Sequence, residues 1–311
     1  MRSQRAAIGS THRRSAVAND AAFPVARARW DMSSGDDRFV DVAGVKTRYR
    51  TCGDGPPVVL VHGFGGFLES WSAVAPRLAD QFEVYALDLP GHGESDTAQD
   101  YSLPSLADVL VTFLDAVGIE RAHLVGLSFG ASVVTAAAGR SDRVDRVALV
   151  APAFVDGTVP LQFRLPLVPL IGRRLFAASL PSDRAGVERM ARQVIHQPEH
   201  RTDAWIERTL DMVTRPGRLD ALYAVLDANL TLWGRRSEAF APVEAYLSTA
   251  EEPMLIFHGR EDQVIPVAAA RSLDATVECS EVVLVDDCGH EVPHERSADL
   301  AARLVAFLEG D

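Results

Sequence analysis

Apolar residues in this chain gather into short unbroken runs, and the segments between several of those runs carry helical spacing. Pro57-Val58-Val59-Leu60-Val61, Ala122-His123-Leu124-Val125, Val144 to Val150, Met254-Leu255-Ile256-Phe257 and Val282-Val283-Leu284-Val285 have the length and β-branched content of buried strands. A further strand is expected over Phe82 to Leu87. Leu106, Val109, Leu110, Phe113 and Leu114 recur at helical spacing within Ser105 to Val117. Another helix is expected over Glu69 to Ala79, with Pro76 near its end. Upstream of all these, Arg38 to Cys52 alternates apolar and polar residues around Ala43-Gly44, the pattern of an antiparallel pair.

From about Ala153 to Thr249 the alternation of strand and helix stops. A proline-rich apolar entry, Val159 to Leu170, leads into helical stretches around Ala185 to His196, Thr202 to Thr214 and Leu219 to Leu232. The alternation resumes near Pro253. Phe154, Phe163, Phe176, Trp205, Tyr223 and Trp233 can be read as packing or as substrate contacts, and the sequence leaves both open. His196 and His200 lack the spacing and companions of metal ligands, so no metal and no other cofactor is expected.

The 311 residues, 47% of them apolar, can bury a large core, and one domain with an insertion fits that size. The formal charge of −12 is unevenly spread. Six arginines (Arg2, Arg5, Arg13, Arg14, Arg27, Arg29) face one acid, Asp20, within the first thirty residues, so the remainder is strongly acidic. An acidic body lacks the clustered cations that phosphate contacts need, and no nucleic-acid partner is expected. Ala16-Val17-Ala18 is broken at once by Asn19 and Asp20, so Arg13-Arg14 lack the context of an export signal. Residues 1–37 read as a disordered basic extension, with a misassigned start or a partner-binding arm as lesser readings. No apolar run approaches the roughly eighteen residues of a membrane span, which points to a soluble protein. Cys52, Cys279 and Cys288 are too few and too scattered for a disulfide framework, so a cytoplasmic location is the default. Nothing in the chain speaks to oligomeric state.

The chemistry centres on Gly126-Leu127-Ser128-Phe129-Gly130, which lies between the run Ala122 to Val125 and the small-residue, helix-like stretch Ala131 to Ala138. A strand that turns sharply into a helix needs small flanking residues, and two glycines allow Ser128 to sit at a strained bend with its hydroxyl projecting over the strand ends. An ordinary glycine-rich turn is the alternative. Pro57 to Val61 ends in His62-Gly63-Phe64-Gly65-Gly66, a loop able to donate backbone N–H groups. The amides of Phe64 and Phe129 are the candidate oxyanion donors, with Gly65 in reserve. His62, beside that loop, reads as an organising histidine rather than as a base. Met254 to Phe257 leads to His258-Gly259-Arg260-Glu261-Asp262, where Asp262 is the candidate acid and Glu261, facing the other way, is expected to be solvated. Val282 to Val285 leads to Asp286-Asp287-Cys288-Gly289-His290, which makes His290 the candidate base. Asp286 and Asp287 are alternative acids.

Ser128, Asp262 and His290 follow the chain order of α/β-hydrolases. From about Arg38 to Leu308 the sequence resembles that family, in particular its group of esterases, perhydrolases and carbon–carbon hydrolases. The resemblance rests on His62-Gly63, Asp88-Leu89-Pro90-Gly91-His92-Gly93-Glu94-Ser95, the serine bend, Gly259-Arg260-Glu261-Asp262 and Gly289-His290. It implies an α/β fold with a mostly parallel eight-stranded sheet flanked by helices. The core would comprise residues 38–152 and 250–311, and residues 153–249 would form a helical cap inserted after the sixth strand. It also gives Asp88 to Asp96, His92 included, a structural role. The expected activity is hydrolysis of a hydrophobic, medium-sized carboxylic ester through an acyl-enzyme. Hydrolysis of a carbon–carbon bond in ring-fission products, perhydrolysis and noncatalytic binding of a small ligand are the alternatives. The carbon–carbon hydrolases typically carry Asn before and Met after the serine and Trp after Gly-His, whereas Leu127, Phe129 and Glu291 stand here. Lyase chemistry that relies on a lysine would have only Lys46, in the first strand pair, to call on.

Overall fold

The computed structural model describes residues 37–251 and 253–310. The extension expected over residues 1–37 lies outside the described residues, apart from Asp37. Arg38–Val42 (β1) and Val45–Cys52 (β2) pair antiparallel across a turn in which Ala43 (φ 52°) and Gly44 (φ 85°) both take left-handed backbone. That backbone suits a two-residue hairpin loop because it follows the twist of its strands.

The remaining strands are Pro57–Val61 (β3), Glu83–Leu87 (β4), Ala122–Leu127 (β5), Val144–Val150 (β6), the short pair Leu230–Thr231 (β7) and Gly234–Arg235 (β8), Met254–Gly259 (β9) and Ser280–Val285 (β10). All but β7 and β8 join one sheet in the order β1-β2-β4-β3-β5-β6-β9-β10, parallel except where β2 meets β1 and β4. Helices follow as Ala75–Leu78 (α1), Leu103–Ala116 (α2), Phe129–Ala138 (α3), Leu161–Arg164 (α4), Gly172–Ser179 (α5), Arg184–Val194 (α6), Asp203–Val213 (α7), Arg218–Asn229 (α8), Ser237–Thr249 (α9), Ala268–Asp274 (α10), Val292–Glu295 (α11) and Ser297–Glu309 (α12).

Successive strand residues feed opposite faces of the sheet. Val59 and Val61 pack with α2, α3, α9 and α10, whereas Val58 and Leu60 pack with α1 and α12. Covering both faces explains why the central strands read as unbroken apolar runs.

The single helix expected over residues 69–79 is instead a 3-10 turn, Leu68–Trp71, followed by the short α1. Leu68, Trp71 and Val74, all fully buried, recur every third residue, and their backbone closes through Ser72 N–H to Glu69 O and Val74 N–H to Trp71 O. Three-residue spacing stacks side chains on one face of a 3-10 turn, so burial of that row overrides α-helical propensity.

Between β6 and β9 the chain forms α4 to α9. The last of these lies along α2 and α3, close enough that a Cβ on Gly139 would stand 2.4 Å from Pro242 O. Two kinds of contact fasten the earlier helices. On one margin Phe163 and Phe176 meet Phe64 at ring-centroid distances of 6.2 and 6.4 Å. On the other, Arg208 pairs with Glu69, Arg215 Nη2 reaches Glu94 Oε1 at 3.0 Å, and Arg218 donates to Gly91 O at 2.5 Å. Glu69 also belongs to a buried network in which Arg48 pairs with Glu69 at 2.7 Å, Asp37 at 2.9 Å and Asp88 at 3.1 Å. Among the described residues no helix is long and apolar enough to cross a membrane.

Candidate active site

Strand register brings the candidate residues to one edge of the sheet. Val61 lies beside Gly126, Leu127 beside Val150, Val150 beside Phe257 and Gly259 beside Val285. The segments bearing His62 to Gly66, Ser128, Asp262 and His290 therefore all leave from the carboxyl ends of parallel strands, where α/β sheets bind their ligands.

Ser128 sits between β5 and α3 with φ 53° and ψ −116°. A backbone of this kind at a residue with a side chain costs about 1–3 kcal/mol and persists only where its surroundings enforce it. Here Ser128 N–H donates to Val150 O at 2.8 Å, and Ser128 O accepts from Ala131 at 3.0 Å and Ala153 at 3.1 Å. Steric constraints close the bend. A Cβ on Gly126 would lie 2.4 Å from Gly130 O, and one on Gly130 would lie 2.4 Å from His62 O and 2.5 Å from Val61 O. Gly63, which the sequence marked only as part of the His62-Gly63 motif, belongs to the same constraint, since its Cβ would stand 2.9 Å from that of Ser128.

Asp262 and His290 come together, with Nδ1 of His290 2.7 Å from Oδ2 of Asp262. The other oxygen, Oδ1, accepts the N–H groups of Val264 at 2.8 Å and Ile265 at 2.9 Å, which fixes the carboxylate plane. Burial alone would raise the Asp262 carboxyl, but the charge of His290 and hydrogen bonds from His258 and His290 hold it far below the usual range. For His290 burial lowers the imidazole, and the charge and hydrogen bond of Asp262 outweigh that and raise it above 6.5. The two alternative acids face elsewhere. Asp286 pairs with Arg260 at 2.6 Å, and Asp287 accepts from Gln197 at 2.8 Å and Arg296 at 3.3 Å. Glu261 is not simply solvated as expected: its Oε2 accepts the N–H of Cys288 at 3.0 Å, because the backbone ahead of His290 returns across β9 and needs an acceptor there.

His258 carries a role the sequence reading missed. It is fully buried, and its Nε2 lies 3.2 Å from Oδ2 of Asp262 and 3.0 Å from Ile265 O. Two acceptors facing one ring nitrogen assign the proton to Nε2, so Asp262 receives imidazole donors from two sides. Its position directly after the Met254 to Phe257 run gives no sign of this contact, which depends on the turn that brings Asp262 back beside it.

His62 is wholly inside the loop it was expected to organise. Its Nε2 accepts the Leu89 N–H at 3.0 Å, which leaves the proton on Nδ1, 2.8 Å from Gly63 O. Burial pushes this imidazole down to about 4. His92 bonds Pro90 O through Nδ1 at 3.0 Å, and burial lowers it as well. The N–H groups of Phe64, Gly65 and Phe129 donate to no protein acceptor among the described residues. For Phe129 this follows from its place in the first turn of α3, whose leading amides have no intrahelical acceptor. Lys46 lies on β2, which β4 separates from β3, its ammonium 4.4 Å above the Phe39 ring.

Phe154, Phe163 and Phe176 pack mainly on one another's neighbours: Phe154 meets Phe129 at 6.4 Å and Phe163 at 5.1 Å, and Phe176 meets Tyr223 at 6.2 Å. Trp233 is 84% exposed, whereas Trp205 lines a cavity of about 250 Å³ together with Phe67, Arg208, Glu291 and His294. His196 Nε2 faces Asp287 at 3.3 Å, and His200 packs against His294 with ring centroids 5.4 Å apart.

A sheet of this order, with a serine bend after β5 and an acid and a histidine on the loops after β9 and β10, defines an α/β-hydrolase, and residues 56–297 match the family model described as alpha/beta hydrolase fold. The chain belongs to that family. It is 34% identical over 288 residues to the dihydrolipoyllysine-residue acetyltransferase component of the acetoin cleaving system of Cupriavidus necator, covering 88% of this chain and 69% of that protein. It is 30% identical over 277 residues to the 2-hydroxymuconate semialdehyde hydrolase of a Pseudomonas species, covering 87% and 93%. Among solved structures, a meta-cleavage product hydrolase from Pseudomonas fluorescens superposes with a TM-score of 0.73 at 26% identity over 88% of this chain and 97% of that one.

Proposed function

We propose that this hydrolase acts on a hydrophobic, medium-sized carboxylic ester, with Ser128 as nucleophile, His290 as base and Asp262 as the acid that orients it. The 2.7 Å contact between His290 and Asp262, with the imidazole raised above 6.5, carries the reading. The Asp262 carboxylate accepts from Nδ1, so Nε2 of His290 holds the lone pair that takes the Ser128 proton during attack. The resulting oxyanion is met by the N–H groups of Phe64 and Phe129, which have no protein acceptor among the described residues to give up. His290 returns the proton to the leaving alcohol, and water repeats the cycle on the acyl-enzyme. Residues 153–249 act as a cap: their aromatic margin against Phe64 excludes water from the acyl site. Replacing Ser128 by Ala is expected to lower kcat on a short-chain aryl ester by several orders of magnitude. Full activity in that variant would refute the reading.

A second reading, hydrolysis of a carbon–carbon bond in a ring-fission product, is favoured by the 30% identity to the 2-hydroxymuconate semialdehyde hydrolase. Against it stand Leu127, Phe129 and Glu291 at the three positions where that group typically carries Asn, Met and Trp. Spectrophotometric loss of a dienoate ring-fission product, compared with aryl-ester turnover by the same preparation, separates the two. The substrate with the larger kcat/KM decides.

A further inference from the structure

One carboxylate outside the triad has both oxygens committed to backbone. Glu295, 4% exposed, accepts the N–H of Gly289 at Oε1 (2.9 Å) and the N–H of Gln197 at Oε2 (2.8 Å). The first donor immediately precedes His290, and the second belongs to the turn that follows α6. The end of α6 reaches the base loop as well, because Val194 O accepts the N–H groups of both His290 (2.9 Å) and Glu291 (3.0 Å). Space is as constrained as bonding: a Cβ on Gly289 would lie 2.8 Å from His196 N, 2.9 Å from Glu295 Oε1 and 3.0 Å from Val194 O.

We propose that Glu295 is a positioning residue for His290: by tying Gly289 to the turn at Gln197 it sets where the imidazole stands over the sheet edge. It acts through the peptide and touches neither substrate nor reacting atoms. The inference rests on the serine-hydrolase reading above. A carboxylate suits the task because two backbone donors converge on it, and leaving either donor unpaired in a buried site is costly. An amide of the same shape has one accepting oxygen, so its nitrogen must confront one of the two N–H groups, donor against donor.

The test compares the full-length wild type, Glu295→Gln and Ser128→Ala on an aryl ester, with thermal melts and the NMR resonance of the proton between His290 Nδ1 and Asp262. In Glu295→Gln, kcat is expected to fall about 10- to 100-fold with KM within about twofold, the scale of a slightly misplaced catalytic group. The His290 resonance is expected to shift or broaden while the protein remains folded. An unchanged kcat overturns the proposal, and so does a loss that tracks the unfolded fraction with the resonance unmoved. If Glu295→Gln does not fold, Glu295→Asp, which keeps the charge but withdraws both oxygens, is read in the same way. Failure of both to fold makes the residue merely structural and also overturns the proposal. Should Ser128→Ala retain full activity, it is the serine reading that fails, and the resonance in Glu295→Gln still judges the clamp.

Discussion

Replacing Asp262 by Asn tests the proposed proton path at one atom. Oδ1 accepts from Val264 at 2.8 Å and Ile265 at 2.9 Å, so the amide oxygen must stay on that side. The amide nitrogen then takes the place of Oδ2, 2.7 Å from His290 Nδ1 and 3.2 Å from His258 Nε2. An amide nitrogen only donates, so His290 must turn its Nδ1 lone pair toward it and carry its proton on Nε2, where the Ser128 proton should go. The expected cost in kcat is about 10⁴-fold, or ~5.5 kcal/mol, the loss known for the analogous change in a serine protease. The assay is aryl-ester turnover across pH. In the wild type the base works when neutral, so activity rises with pH through a His290 pKa above 6.5. Without the Asp262 charge and hydrogen bond, burial is opposed only by the more weakly acting carboxylates of Glu291 and Glu295, so in Asp262→Asn the acid limb should move to lower pH beneath a much lower plateau. Stability follows the same linkage. The raised His290 stabilises the fold below 6.5, and that contribution is lost as pH rises through its folded pKa; the depressed Asp262 stabilises above 3.8, lost as pH falls through its own. Activity of Asp262→Asn within tenfold of wild type, or an acid limb displaced to higher pH, would refute the reasoning, and Asp286→Asn should stay within about twofold.

Gly130→Ala should destabilise by about 3 kcal/mol or more in urea denaturation, since the new Cβ meets two backbone oxygens that cannot swing away. A cost below ~1 kcal/mol would mean the bend tolerates a side chain. Arg48→Met leaves Glu69 and Asp88 buried without their shared cation and should cost about 3–5 kcal/mol in the same measurement. Burial pushes the Cys288 thiol well up, so alkylation at mildly alkaline pH should modify it only on unfolding, as mass spectrometry of native and denatured protein would reveal.

The strand ends were legible because each apolar run stops where its loop chemistry begins, and parallel register carries those stops to one edge. Asp262 could be preferred to Asp286 and Asp287 because a different strand delivers it. What escaped depended on three-dimensional neighbours. His258 and Glu295 act on residues four or more positions away through contacts that no local pattern announces. Gly63 is needed for the closeness of Ser128, a residue 65 positions on. The stretch from Leu68 to Leu78 misled because a row of buried residues every third position resembles an amphipathic α-helix until its backbone bonds are known.

The helices between β6 and β9 are fastened by unlike forces on their two margins. The margin of Arg208 and Arg215 relies on ion pairs with side chains 21% and 34% exposed, which added electrolyte weakens, whereas the contacts of Phe163 and Phe176 with Phe64 carry no charge to screen. Hydrogen exchange over residues 203–218 against 161–179, in dilute and concentrated salt, reads the difference. Rising ionic strength should therefore loosen the arginine margin first and leave the phenylalanine contacts as the axis about which these helices would pivot.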